Sequence, residues 1–287
     1  MDARIASLIA GFLDVIEPLA HHEHFGGKEN DGFDVIAPSL PGYGFSGIPR
    51  TTFGPRATAE IMSALMRDIL GFDRFAVQRG DWGGVIGARM ALDCPEGLAA
   101  LHVNILPLRP GIGPDDSPLS DEEKAWLAEA KEHMRDETAY QEVQATKPQT
   151  LSYGLTDSPA GLAGWIVEKF HGWSDPAAGA PPFEMDYLLT NIAIYWFTGT
   201  INSSTCISKG FFRDERSGAM KPGQKIEIPL GVCLPPNDLY PPPPSSWVKR
   251  LGNVVCDTCL SGGGHFTAMK VGNELLHDMR EHFRAYR

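Results

Sequence analysis

The chain is 287 residues long and carries 25 Lys and Arg against 36 Asp and Glu, a formal net charge of −11. That acidity argues against a nucleic-acid binder and against a polybasic membrane contact. Hydrophobic residues make up 43% and charged residues 21%, the balance of a globular protein with a large core, and no run of about 18 apolar residues marks a transmembrane helix.

In chain order, Met1 to Ala20 reads as a helix. Its apolar stretch Ile5–Phe12 is short, is followed by Asp14 and Glu17, and lacks the basic leader of a signal peptide. His21, His22, Glu23 and His24 follow as a small cluster of metal-ligand types near a Gly-rich loop. Phe33–Ala37 is an apolar strand candidate. Ala57–Leu70 is predicted as an amphipathic helix, with Ile61, Leu65 and Ile69 recurring every four residues, Met62 and Met66 beside them, and Gly71 as the stop. Phe75–Gln78 reads as a strand, Arg79-Gly80-Asp81-Trp82-Gly83-Gly84 as a tight turn, and Val85–Leu92 as a helix. Strand, glycine turn and helix in succession is the pattern of an α/β protein with a mostly parallel sheet.

The texture changes at Arg109–Pro118, rich in Pro and Gly. Beyond it the chain reads as helical. Ser120 and Glu123 form a capping box ahead of Trp126, Leu127, Ala130 and Met134. Ala160–Phe170 and Met185–Phe197 follow, the second apolar on most sides and so expected to be buried. Strand patterns return at Ile226–Cys233 and Val254–Leu260, and a last helix runs from Thr267 to about Phe283. The organisation is a core in two parts, 1–110 and 223–287, around a helical cap at 111–222. Trp165, Trp173 and Trp196 fall in that cap, either as packing residues or as walls of an apolar tunnel. Five cysteines, an odd number, suit the free thiols of a reducing, cytoplasmic compartment. Cys256 and Cys259 have CxxC spacing but no second pair, and read as strand residues.

Gly80-Asp81-Trp82-Gly83 lies between a strand and a helix, where a sharp glycine turn exposes a nucleophile. A carboxylate there attacks saturated carbon to form an alkyl ester, which histidine-activated water then hydrolyses. Asp238 follows the Ile226–Cys233 strand, and Gly262-Gly263-Gly264-His265-Phe266 follows the last one. Nucleophile, acid, histidine is the chain order of an α/β-hydrolase triad.

With these residues in place, the chain resembles the microsomal-type epoxide hydrolases of the α/β-hydrolase superfamily, from about Phe12 to the C-terminus. The resemblance rests on Phe33–Ser46, the Asp81 turn, Gln144–Thr150, Leu155–Ala163, Tyr195–Thr200 and Gly263–Phe266. It implies that Asp81 opens the epoxide ring, that His265 deprotonates the hydrolytic water and that Asp238 orients His265. It further implies that Tyr140 donates a hydrogen bond to the epoxide oxygen, and that Trp82 gives its backbone N–H to the oxyanion and walls the pocket. The Gly42–Ser46 turn would lie beside the nucleophile. No cofactor is implied, and the His21–His24 loop needs no metal.

The departures are specific. The family's first core strands are absent, and Ala6-Ser7-Leu8-Ile9 stands where a His-Gly-x-Pro turn supplies the second oxyanion N–H, leaving Leu8 as candidate donor. Ser208 occupies the position of a second lid tyrosine. Arg79 replaces a small residue two before the nucleophile, where it could strain the turn or point into the site. Loss of one of two oxyanion hydrogen bonds costs about 2.7–4 kcal/mol of transition-state stabilisation.

The expected fold is therefore an α/β-hydrolase core with an inserted helical cap and missing N-terminal strands. The expected function is hydrolysis of an apolar epoxide to a vicinal diol. Two alternatives stay open: a weak or inactive homologue that binds an apolar small molecule, and a haloalkane dehalogenase-like hydrolase. Tyr140 argues against the latter, because halide release needs N–H donors. The expected partners are a small apolar epoxide and water, and homodimerisation through an exposed sheet edge would be unsurprising.

Overall fold

Four strands, Phe75–Arg79 (β1), Leu98–Val103 (β2), Ile226–Leu234 (β3) and Gly252–Cys259 (β4), form an all-parallel sheet in the order β1-β2-β3-β4. The computed structural model describes residues 12–28, 31–106, 108–174, 183–214 and 218–286. The first residues of the expected N-terminal helix, and Leu8 with them, lie outside these. Within them the fold is α/β, as the alternating pattern predicts.

β2 and the second half of β3 are buried along their length, which is why they read as continuous apolar runs rather than as alternating ones. Helices cover both faces. Leu13–Ala20 (α1) and the C-terminal Gly272–Arg284 (α12) share one cluster, in which Val15, Leu275, Met279 and Phe283 pack with Ala100 and Cys233 of the sheet. Pro55–Ala64 (α2) and Asp81–Asp93 (α3) lie in the other, where Met62, Ile86 and Met90 pack with Leu101, Val103 and Leu230. Between β2 and β3 the described residues form the helices Asp121–Glu137 (α4), Ala139–Thr146 (α5), Pro148–Asp157 (α6), Pro159–Gly172 (α7), Met185–Thr198 (α8) and Ile201–Arg213 (α9). Ser245–Lys249 (α10) links β3 to β4, and Thr267–Lys270 (α11) precedes α12.

The caps follow from the sequence. Ser120 accepts from the Glu123 N–H at 3.1 Å while the Glu123 carboxylate accepts from the Ser120 N–H at 2.8 Å, the reciprocal box expected at the start of α4. Pro148 and Pro159 open α6 and α7, where a missing N–H costs nothing. Glu123, itself fully buried, also takes a forked pair of hydrogen bonds from Arg250 at 2.7 and 2.9 Å. That pair fixes the start of α4 to the end of α10.

Four sequence expectations change. Residues 33–37 belong to no strand, because among the described residues no strand lies alongside them to complete a ladder. Ala57–Leu70 is helical, with a π turn at Leu65–Ile69, but it buries Ala59 and Met62 and turns Ile61 and Ile69 to solvent. The apolar face lies toward the methionines rather than along the isoleucine row. α8 buries only Leu188, Asn191 and Tyr195, and Met185, Leu189 and Phe197 are exposed. β2 was not anticipated: the Pro95-Glu96-Gly97 turn precedes it, but six mostly apolar residues give a weak periodic signal.

Candidate active site

Asp81 sits at the head of α3, directly beyond the C-terminal end of β1. Its φ is +55°, and it is the one non-glycine residue with positive φ among those described. A side chain held there costs about 1–3 kcal/mol and is kept only where its surroundings over-determine it. They do. A Cβ on Gly80 would stand 2.6 Å from Oδ1 of Asn104, so only glycine fits before the aspartate. Asn104 is held in turn by Gln78, whose Nε2 donates to its Oδ1 at 3.0 Å. The Trp82 N–H donates to Asp81 Oδ1. The positive end of α3 adds a favourable field for the carboxylate.

His265 reaches the same place from beyond β4. Gly264 lets it in: a Cβ there would lie 2.6 Å from the carbonyl oxygens of both Asn237 and Trp173. The His265 N–H donates to the Trp173 carbonyl at 2.9 Å. Its Nδ1 lies 2.8 Å from Oδ1 of Asp238, and its Nε2 lies 3.2 Å from Oδ2 of Asp81. Asp238, just past β3, also accepts from the Leu239 N–H at 2.7 Å. One imidazole thus bridges two carboxylates. Asp81 and His265 are 4% and 8% exposed, dry enough for these contacts to count. All three residues lie beyond the C-terminal ends of parallel strands, where open α/β sheets hold their ligands.

Aromatic side chains surround the bridge. Trp173 meets His265 edge-on at 5.1 Å, and Tyr140 lies 5.3 Å beyond Trp173. Lys169 Nζ stands over both rings, at 4.8 Å from Tyr140 and 5.3 Å from Trp173. Phe266 stacks on Phe170 at 4.2 Å, and Trp82 meets Phe211 edge-on at 5.0 Å. The Tyr140 hydroxyl accepts from Gln141 Nε2 at 2.9 Å.

Of the seven residues singled out from sequence, Asp81, Asp238, His265 and Trp82 converge directly, and Tyr140 joins them through Trp173. Leu8 falls outside the described residues. Ser208 is fully buried on α9 and donates to Gln144 Oε1 at 2.8 Å, one turn along α5 from Tyr140. The stem of Arg79 runs against Gly87 of α3, with Cγ 3.3 Å from where a Cβ would stand, so its small neighbour accommodates the long cation. The Gly42–Ser46 turn docks on α9: Tyr43 donates to the Ser204 carbonyl at 2.7 Å and Ser203 to the Gly42 carbonyl at 2.5 Å. Sequence reasoning missed Asn104, which sits in no motif with a chemical signature, and read Gln144 only as the start of the Gln144–Thr150 stretch, without its distant partner Ser208.

Two groups could be considered for a metal. His21, Glu23 and His24 are exposed, and His22 turns away to Asp31 at 3.7 Å. His102, Cys233 and Asp278 cluster between the sheet and α12, but they satisfy one another. His102 Nε2 is 2.8 Å from Asp278 Oδ1, and burial with Asp278 nearby pushes the Cys233 thiol far up, which keeps it protonated and a poor ligand. Cys256 and Cys259 are free thiols three apart on β4, so they point to opposite faces and cannot form a CxxC clamp.

Comparison with known proteins gives a consistent result. Residues 9–147 match the family model described as alpha/beta hydrolase fold. A putative epoxide hydrolase of Stigmatella aurantiaca is 36% identical over 281 residues, covering 96% of this chain and 62% of that protein. Epoxide hydrolase 1 of Sus scrofa is 32% identical, covering 94% and 64%. The structure of Aspergillus niger epoxide hydrolase superposes with a TM-score of 0.79 at 29% identity, covering 96% of this chain and 69% of that one. The chain therefore spans about three-fifths of the length of the curated relatives it matches.

Proposed function

We propose that the chain is a member of the α/β-hydrolase superfamily related to the epoxide hydrolases, and that it hydrolyses an apolar epoxide to a vicinal diol. The observation that carries this reading is His265 bridging Asp81 and Asp238 at 3.2 and 2.8 Å, with Asp81 strained at the head of α3.

Oδ1 of Asp81 is held by the Trp82 N–H, and Oδ2, 3.2 Å from His265 Nε2, is the oxygen that attacks an epoxide carbon. The C–O bond of the ring breaks as the ester bond forms. Tyr140 delivers its proton to the departing oxygen, giving a hydroxyl on the neighbouring carbon. Asp238 takes the hydrogen bond of His265 Nδ1–H, so Nε2 is free to accept a proton from water. The resulting hydroxide attacks the ester carbonyl carbon. Negative charge collects on Oδ1, where the Trp82 N–H already points. Collapse expels the diol as an alkoxide that takes the proton of the new carboxylic acid, Asp81 is restored as a carboxylate with one oxygen from water, and the proton held by His265 returns to the Tyr140 phenolate. A second oxyanion donor belongs to the chain before Phe12, with Leu8 as its candidate. Residues 111–222 act as a cap over this site, and Trp173 and Phe266 give it the apolar lining that favours an aryl or alkyl epoxide.

The test is a single turnover of styrene oxide in ¹⁸O water. The label must enter the peptide that contains Asp81, and His265→Gln must accumulate that peptide as its alkyl ester. Label found only in the diol would overturn the covalent route. A second reading is a homologue that binds an apolar molecule with little turnover, favoured by the engagement of Ser208 with Gln144 in place of a second phenol. Binding of styrene oxide without diol formation would establish it.

A further inference from the structure

The buried face of α5 carries two polar side chains one helical turn apart, Tyr140 and Gln144. The Tyr140 hydroxyl accepts from Gln141 Nε2 and keeps its own proton to give. The Gln144 side chain is 2% exposed, and the two ends of its amide differ. Oε1 accepts from the Ser208 hydroxyl at 2.8 Å. Nε2 is buried and has no hydrogen-bond partner among the described residues. Buried donors are almost always paired, and an unpaired one costs the fold, so an exception is kept for a reason. The bond from Ser208 holds the amide plane and turns its NH2 away from Ser208.

This pair lies where two walls of the site meet. On α9, Ser208 and Phe211 share a face at i, i+3 spacing, and Phe211 meets Trp82, the neighbour of Asp81, at 5.0 Å. On α5, Tyr140 lies 5.3 Å from Trp173, which meets His265 at 5.1 Å. One wall leads to the nucleophile and the other to the histidine, and the Ser208–Gln144 hydrogen bond ties them together. We propose that Gln144 Nε2 is a second hydrogen-bond donor to the epoxide oxygen, beside the Tyr140 hydroxyl, and that Ser208 is the positioning residue that aims it. The inference rests on the hydrolysis proposed above and extends its ring-opening step. As the ring C–O bond breaks, negative charge gathers on the oxygen and Tyr140 transfers its proton there. An amide N–H shares its proton without giving it up, so Gln144 stabilises the charge and stays neutral throughout. Once that oxygen is a hydroxyl, the second donor has no charge left to stabilise, and hydrolysis of the ester on Asp81 proceeds without it. Two donors also select for a three-membered ring that carries oxygen over a carbocycle of the same shape.

The experiment has a binding arm and a kinetic arm. In the Asp81→Ala protein, styrene oxide and cyclopropylbenzene, which has the same shape without the oxygen, are titrated with and without Gln144→Met. Gln144→Met should weaken styrene oxide about five- to tenfold and leave cyclopropylbenzene within about twofold. With Asp81 intact, a single turnover of styrene oxide should form the alkyl ester about a hundredfold more slowly in Gln144→Met, and the ester once formed should hydrolyse at the parent rate. The same measurements on Gln144→Met combined with Ser208→Ala, which leaves no hydroxyl unpaired, cover the case in which the single variant does not fold. Equal weakening of both ligands would make Gln144 a packing residue and overturn the inference. So would no weakening of either, or equal slowing of both chemical steps. A parent that makes no diol would overturn the hydrolase reading instead, and the binding arm then decides the inference by itself.

Discussion

At the scale of single residues, the strained aspartate is the feature that separates function from stability. Asp81→Gly and Asp81→Ala both remove the carboxylate and should both abolish turnover. They differ in backbone freedom, since glycine adopts φ +55° without penalty and alanine does not. Chemical denaturation should therefore find the glycine variant more stable by about 1 kcal/mol. A second residue-level contrast concerns the two hydroxyls near the cap. Tyr140→Phe should lower kcat on styrene oxide by at least about a hundredfold, the usual loss for a positioned acid. Ser208→Ala should lower it less than tenfold, because that hydroxyl is committed to Gln144. Equal losses from the two substitutions would refute this division of labour. The commitment of Ser208 could not come from sequence alone, because Ser208 and Gln144 are 64 positions apart and only their packing shows that they are partnered.

At the scale of elements, the best-defined joint is the one between α4 and α10. The Arg250 guanidinium, with burial opposing it, holds the Glu123 carboxyl down to about 2. A folded value below the unfolded one means that the pair stabilises the protein above about pH 4.5. That contribution is lost as pH falls toward 2. Arg250→Met leaves a buried carboxylate without its partner and should cost about 3–5 kcal/mol at neutral pH. Thermal scans of Arg250→Met should also show a weaker dependence on pH below 4.5 than the parent. The capping box at Ser120 was legible in the sequence, because its two partners are three residues apart. The ion pair was not, because Arg250 comes from the far side of the inserted helices.

At the scale of the whole molecule, the C-terminal helix closes the sheet with buried imidazoles. Burial, with the charge of His102 adding to it, pushes His282 down to about 4. Asp278 is lowered as well: burial opposes its ionisation, and the hydrogen bond from His102 prevails. The signs agree. Between about 6.5 and 4 the unfolded chain takes up a proton at position 282 that the folded chain refuses, so stability falls as pH is lowered through that window. Asp278 adds a loss as pH falls through the carboxylate range. His282→Gln should flatten the Tm profile between pH 6.5 and 4, and an unchanged profile would contradict the assignment. The same scale shows where the helical insertion meets solvent: Phe197 is 84% exposed near the end of α8, and Met185 and Leu189 are exposed further back along the same helix. No described helix is long and apolar enough to cross a membrane.

What the sequence determined by itself is local. Glycine spacing announced the turn that bears Asp81, hydrophobic period located most helices and three of the four strands, and the order Asp81, Asp238, His265 pointed to a triad. The first two of these signals lie within a few residues, so backbone sterics and side-chain period suffice to read them, and the third needs only chain order. Only the tertiary structure decided that His265 reaches Asp81 across 184 positions, that Asn104 braces the Asp81 turn, and that residues 33–37 pair with no described strand. Those facts depend on which elements become neighbours. A strand exists only when another strand lies beside it, and a catalytic contact exists only when distant loops arrive at the same point.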